Sequence, residues 1–484
     1  MQKSLHFIFL LFLCTVAGIS QNGPAELWSY DTGGSRSERA VSVLECADGG
    51  SLLIGNTDSK DGMVTGQHGL TDAWIVKRRP NGSAEWQQCI GTGETEYAHQ
   101  AVEVADGYVV VGQKNNHAWI FKINKSGVFI WENTFPTSAS SALLAIRKKT
   151  DGTFMVGGYN GGFENHALLW NLSSSGNLIN GISFIIGSYI REIRFTTDGN
   201  ILVMGGYKNN NEEGCPGGEI TPLGDLWLAK VAFETNGSYP VIWSKYYGGT
   251  TYDAFLDGEI TGGNEVYLLG RTYCKGQITG PNNVGRNWSG FGTEAFTWLA
   301  KVNASGDLGP VIIVTISNLD YTADYHCVTV DCKGQPVIGG GQGSQLGQSP
   351  AMVKYSSDLS GGIWSAELTG GLSFIYDLFD IHFTSDAAYL ACGSQDDNDA
   401  NYDPDYFVLK TTKDPECAGS ANKCQNITPI SCGQTYNGNT SGRVNSFNIS
   451  DLSSCYSPKG DFSAPDQLFE VYKPNSTGDL VITL

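Results

Sequence analysis

The chain has 484 residues, 49 acidic against 30 basic side chains for a formal charge of -19, 62 glycines, and only 16% charged residues. That balance excludes a disordered, collagenous or coiled-coil chain, and it argues against nucleic acid or anionic lipid as partners, because both need clustered Lys and Arg. Glycine at nearly twice its usual share of roughly 7%, with 11% aromatics, suits many short strands joined by tight turns.

Residues 1-20 carry Lys3, an apolar stretch from Phe7 to Leu13, and small residues Ala17, Gly18 and Ser20. This is the layout of a cleaved secretory signal, so the mature chain is expected to be secreted, extracellular or at the cell surface. Cys14 follows Leu13, which is too large for the small residue that precedes a lipid-modified cysteine. No later apolar run reaches the roughly 18 residues of a transmembrane span. Eleven cysteines remain after Cys14, so at least one lacks a partner within the chain. Secretion makes disulfides plausible, and no Cys-x-x-Cys spacing points to zinc or redox chemistry. Asn-x-Ser/Thr sites such as Asn81, Asn287 and Asn439 read as surface turns.

Residues 21-412 contain seven copies of one unit. Its first mark is a turn followed by an apolar strand ending in Gly, as in Asp48 to Gly55, Asp106 to Gly112, Asp151 to Gly157 and Asp198 to Gly205, with weaker copies ending at Gly270, Gly339 and Gly393. Its second mark is an aromatic-x-x-Lys strand: Trp74 to Lys77, Trp119 to Lys122, Trp227 to Lys230, Trp298 to Lys301, Met352 to Lys354 and Tyr406 to Lys410, with Leu168 to Asn171 degenerate. From each Lys position to the next Gly the spacing is 34 to 40 residues, whereas from Gly to its own Lys it runs from 10 to 31. One connection per unit is therefore free to grow. A Trp-containing strand often follows, as at Trp86, Trp131, Trp243 and Trp364. Four short antiparallel strands per unit, repeated at this spacing, predict an all-β, seven-bladed β-propeller. The segment from Leu27 to Gly34 matches the fourth strand but follows no unit, and the last unit lacks a fourth strand. The first strand is thus expected to close the ring.

Residues 413-425 read as a linker and 426-484 as a partial β-sandwich. The latter stops on a strand with no closing turn, and is short against a sandwich of typically ~100 residues, so the domain is expected to continue beyond Leu484.

The run from Asp61 to Lys77, with Asp48-Gly49-Gly50 before it and a Trp strand after it, resembles the repeats of secreted Bacteroidetes-type bacterial propeller proteins. The segment from Cys432 to Thr440, with Glu470 to Tyr472 and the terminal Val481 to Leu484, resembles the front half of a pre-peptidase C-terminal-type β-sandwich. The second resemblance implies an accessory domain on secreted hydrolases and surface proteins, with no catalytic residues to carry over.

No catalytic motif is present: there is no His-Glu-x-x-His, no Gly-x-Ser-x-Gly and no phosphate loop. His117 and His166 precede the third strand where other units have Asp72 or Asp225, a position suited to turn capping. Acidic residues recur where the fourth strand turns into the next first strand: Glu38, Glu96, Asp253, Asp324 and Asp377. Paired carboxylates could cleave glycosides, but one carboxylate per unit accepting backbone N-H groups of its own turn explains the recurrence more simply. Asp397, Asp399, Asn401 and Asp403 place oxygens at alternate positions, as a calcium loop does. They are the leading metal candidate, with Asp58, Asp61 and Asp72 a weaker one, and no other cofactor is required. Trp74, Trp119, Trp227 and Trp298 are expected in the core. Tyr273, Trp288, Phe291 and Tyr402 lie in variable loops and are candidate ligand-binding residues. Cys215 and Cys274, in the two longest loops, are a candidate disulfide.

The sequence thus predicts a secreted, non-catalytic binding or scaffold module that meets a protein or glycan ligand outside the cell through variable loops on one propeller face. The alternatives are an accessory region of a secreted peptidase or glycan-active hydrolase, and a glycan-cleaving propeller enzyme.

Overall fold

The computed structural model describes residues 21-417, apart from 138-139, 162-165, 185-188, 209-223, 234-236, 249-252, 273-276, 279-285, 288-295, 315-321, 345-346, 369-374 and 397-402, together with 470-472 and 481-483. The middle strands of a unit are near-continuous apolar runs, and Ser51–Thr57 and Asp72–Arg78 are buried almost throughout. Fourth strands such as Phe129–Phe135 and Leu178–Phe184 instead alternate between exposed and half-buried positions over most of their length, as an outer strand with one wet face must.

These strands form seven four-stranded antiparallel sheets in chain order, the blades of the predicted propeller. The first strand of each blade lies innermost: Glu38–Glu45, Glu96–Val104, Ser141–Lys148, Tyr189–Phe195, Asp253–Ile260, Thr322–Val330 and Ile375–Phe383. The described residues contain no helix, and so none long and apolar enough to cross a membrane. Apolar clusters fill the blade interfaces, with Leu52, Ile54 and Ile75 of blade one set against Tyr108, Val110 and Phe121 of blade two.

The ring closes as the sequence predicts. Glu26–Thr32 pairs antiparallel with Asp405–Thr411, placing Trp28 opposite Lys410 and Tyr30 opposite Val408. Blade seven then packs on blade one, where the Tyr406 hydroxyl donates to the Trp74 carbonyl at 2.8 Å. Ahead of the closing strand, Gln21–Asn22 adds an unforeseen parallel strand to the outer edge of blade six.

The two recurring sequence marks are halves of one ion pair. Lys77 reaches Asp48 at 2.9 Å, Lys122 reaches Asp106 at 2.7 Å, and Lys230 reaches Asp198 at 2.6 Å. Lys301 with Glu265, Lys354 with Asp331 and Lys410 with Asp386 repeat the contact at 2.9, 2.6 and 2.9 Å. The third strand is thereby tied to the turn between the first two. In blade three Asn171 replaces the lysine, and Asp151 pairs with Lys149 at 3.0 Å instead. The tryptophans are core as expected: Trp74, Trp119, Trp227 and Trp298 are fully buried.

At the exit from blade seven the chain crosses to blade six. Cys417 forms a disulfide with Cys332, with their Cα atoms 6.0 Å apart. Beside it the buried Lys354 ammonium lies 2.6 Å from Asp331, 3.0 Å from Asp414 and 2.8 Å from Glu416. The start of the predicted linker is thus anchored as far as Cys417. Beyond it, Glu470–Tyr472 pairs antiparallel with Val481–Thr483, and the remainder of 426-484 lies outside the described residues.

Candidate functional site in the central channel

Every innermost strand carries a β-bulge at the same place. Register with the second strand slips between Ala40 and Ser42, Ala98 and Gln100, Leu143 and Ala145, and Ile190 and Glu192. It slips again between Phe255 and Asp257, Tyr325 and Cys327, and Leu378 and Asp380. The residues left out of the ladder are Val41, His99, Leu144, Arg191, Leu256, His326 and Phe379, and a bulge re-aims such a residue away from the regular pleat. A recurring glycine stands opposite, with Gly55 against Ala40, Gly112 against Ala98, Gly205 against Ile190 and Gly393 against Leu378. A Cβ at these glycines would run into the first-strand carbonyl of Arg39, Tyr97, Tyr189 or Asp377. In these blades the glycine that ends the apolar strand is therefore the sequence signal for the bulge, and in blades three and six the next residue, Gly158 or Gly340, takes that place.

All the bulge residues except His326 line a cavity of 340 Å³ in the channel, and Arg39, Asn56, Tyr97, Glu192, Asp257 and Asp380 contribute to its remaining wall. These positions fall near the start of the innermost strands. The cavity thus sits toward the face where inter-blade connections and second-to-third-strand loops emerge, the loop face. Its size is at the small end of the roughly 300–1,000 Å³ range of ligand pockets.

The cavity carboxylates are already engaged. In blades two, five and seven the residue after the bulge ties its blade to the next by accepting a backbone N-H two residues past the neighbouring bulge. Gln100 Oε1 accepts from Ile146 at 2.8 Å, Asp257 Oδ2 from Val328 at 2.8 Å, and Asp380 Oδ2 from Val43 at 2.9 Å. Glu192 Oε2 accepts from Arg147 at 2.9 Å and also from Arg194, whose guanidinium donates to Glu259 at 2.8 Å. Burial works against the Arg194 charge, but Glu259 and Glu192 outweigh it and raise its pKa further. This ladder fills the channel toward the turn face.

The cavity cations are arranged differently. Arg39 stacks over the Phe379 ring, 4.0 Å from its centroid. Arg191 projects from its bulge into open cavity space, with no hydrogen bond or ion pair to any described residue. His99, enclosed in the channel wall, has its pKa lowered to about 4, first by desolvation and then by the Arg191 charge. It is neutral at pH 7, when the pair offers one guanidinium fork and one imidazole N-H.

Two of the recurring acids at the blade junctions, Glu38 and Glu96, behave as turn caps. Glu38 accepts the Gly34 N-H at 2.8 Å and the Thr57 hydroxyl at 2.7 Å; Glu96 accepts the Thr92 N-H at 3.0 Å and its hydroxyl at 2.6 Å. Each also has a carboxylate neighbour, because a Cβ at Gly33 would strike both Asp405 and Glu38, and one at Gly91 both Asp72 and Glu96. Burial, and next the Glu38 charge, pushes Asp405 up to about 7. Asp324 pairs with Arg271, while His326 Nε2 lies 3.6 Å from Asp324 and 3.7 Å from Asp377. His117 Nδ1 faces the Thr137 N-H at 3.5 Å, consistent with a turn role.

Tyr273, Trp288, Phe291, Tyr402, Cys215, Cys274, Asp397, Asp399 and Asn401 all lie outside the described residues. Asp403 is described and half-buried, just before the third strand of blade seven. The weaker metal candidates are dispersed: Asp58 accepts the Thr71 hydroxyl at 2.7 Å, Asp61 binds Ser35 at 2.8 Å, and Asp72 lies 2.7 Å from His68 Nδ1. The sequence alone gave neither Arg191 nor His99 a role, His99 being one of six histidines dispersed through the units.

No protein-family model matches the chain, and no curated protein matches it in sequence. Solved structures are similar to it in shape at very low identity. The Neurospora crassa Pan2 WD40 domain aligns with a TM-score of 0.48 at 10% identity, covering 81% of this chain and 97% of that one. A protein of unknown function from Dyadobacter fermentans aligns at 0.45 and 9%, covering 81% and 100%. The β-propeller domain of the Trilobed protease from Pyrococcus furiosus aligns at 0.39 and 8%, covering 80% and 96%. The strand pairing defines the class, a seven-bladed β-propeller, a fold compatible with a binding or scaffold role.

Proposed function

We propose that the chain is a secreted, non-catalytic binding module that receives a protein or glycan ligand on its loop face, around the mouth of the central cavity. The observation that carries this reading is the division of the cavity wall. Its carboxylates are consumed by backbone and arginine partners, which argues against general acid and base roles, whereas Arg191 still offers its donors. The described strand ends that bound the variable connections lie on that same face, where function on a rigid scaffold usually sits, and those connections carry Tyr273, Trp288, Phe291 and Tyr402 in the sequence. A calcium ion held by Asp397, Asp399, Asn401 and Asp403 would stiffen one of these loops. Secretion is supported by the character of residues 1-20 and by the Cys332–Cys417 disulfide, a bond that persists in oxidising compartments.

The test is an array of extracellular glycans and matrix proteins probed with the intact chain and with a variant whose 209-223 and 273-295 loops are shortened to the length of the blade-two connection. Binding that is lost on shortening, with an unchanged melt, is expected. Binding that survives shortening, or turnover of an arrayed glycan that Asp380→Asn abolishes, would overturn the proposal.

A further inference from the structure

We propose that the central cavity is a specific site for a small monoanionic carboxylate, clamped between Arg191 and His99 on the bulges of blades four and two. This rests on the loop-face reading and names the ligand chemistry of its deepest part.

The chain has 49 acidic residues against 30 basic ones, so a guanidinium without a carboxylate partner is the unexpected state. Arg191 is in that state although Glu192 is its neighbour in sequence, because the bulge sends the two side chains to different tasks. Glu192 goes to Arg147 and Arg194, while Arg191 goes to the cavity. The charged and titratable groups facing His99 around the cavity are Arg39, Tyr97, Arg191, Glu192, Asp257 and Asp380. The three acids among them accept hydrogen bonds from other protein groups, and Arg39 lies on the Phe379 ring. One planar, forked donor set is left over, a geometry matched by an oxyanion and best used bidentately by a carboxylate. A single guanidinium without a direct carboxylate partner suits a monoanion, whereas a phosphate dianion would meet the three wall carboxylates with nothing to offset its second charge. Val41, Leu144 and Leu256 supply apolar wall for the ligand body.

Binding is also linked to protons. The depressed His99 pKa reflects enclosure and the Arg191 charge. An anion between the two screens Arg191 and favours imidazolium, so affinity rises as pH falls from 7 toward 5.

The probes are glucuronate, glucose and inorganic phosphate, titrated calorimetrically into the intact chain at pH 7 and pH 5, while NMR follows the His99 ring. The account expects glucuronate to bind, more tightly at pH 5 and with an upward shift of the His99 midpoint, and expects glucose not to bind. Arg191→Gln should weaken glucuronate at least tenfold without moving the melting temperature, and Arg191→Lys should recover only part of the loss. Equal binding of glucose, tighter binding of phosphate, no binding of glucuronate, or full affinity in Arg191→Gln would each overturn the inference. The loop-shortened variant separates the two claims. If it still binds glucuronate while array ligands never required the loops, the loop-face reading fails alone; if the array ligands depend on the loops but glucuronate never binds, the cavity inference fails alone.

Discussion

The junction of blades six and seven and the cavity treat charge in opposite ways. At the seam between blades six and seven, Lys354 is fully buried and faces Asp331, Asp414 and Glu416, beside the Cys332–Cys417 disulfide. In the cavity, Arg191 is exposed and meets no described carboxylate. Pairing inside the protein marks charges that hold the frame; a charge left without a partner on the same frame is available to a ligand. Mutations at the two places should therefore separate stability from binding.

The largest effect is expected from deleting Glu26–Thr32. The Asp405–Thr411 strand would lose its partner and present a bare edge, so the cooperative melt should disappear or give way to aggregation. An unchanged melt would show that the ring does not depend on this closure.

Next comes Lys354→Met, which strands Asp331 and Asp414 as buried carboxylates. Urea denaturation should show a loss of about 3–5 kcal/mol, the cost of breaking a buried ion pair from one side. Arg191→Gln should change stability by less than about 0.5 kcal/mol, as expected for a side chain that supports nothing. If the two variants lost similar stability, the contrast between frame and cavity would collapse.

A smaller effect belongs to Asp405. Its carboxyl holds a proton up to about pH 7 in the folded chain, whereas the unfolded side chain releases it near pH 3.9. The native state then binds more protons across that window, so stability falls as pH rises from about 4 to 7. Asp405→Asn should gain about 1–2 kcal/mol over wild type at pH 8, after allowance for its partial exposure, and close to nothing at pH 3.5. Equal gains at both pH values would point to a packing effect.

Much of this frame was legible because a repeated unit writes itself into the sequence. The Asp-Gly turn and the lysine strand recur together since one residue of each forms the ion pair, and the displaced Leu27 strand revealed the closure. The cavity was not legible, because its lining depends on a one-residue slip in register that moves His99 and Arg191 out of the ladder. The glycines opposite, such as Gly112 and Gly205, carried the clue, but a glycine that ends a strand and one that faces a bulge look alike in a single sequence. Cysteine pairing was hidden for a different reason: the path of 413-417 across blade six brings Cys417 to Cys332, and no local pattern encodes that path.

The central claim, that Arg191 stands in the loop-side cavity without a carboxylate partner, is tested most directly by following the His99 ring resonances through a pH titration of the ligand-free chain. The account predicts a midpoint near 4, rising in Arg191→Gln as the neighbouring charge is removed. A midpoint that does not move in Arg191→Gln would mean that the Arg191 charge is already neutralised, and would contradict the account.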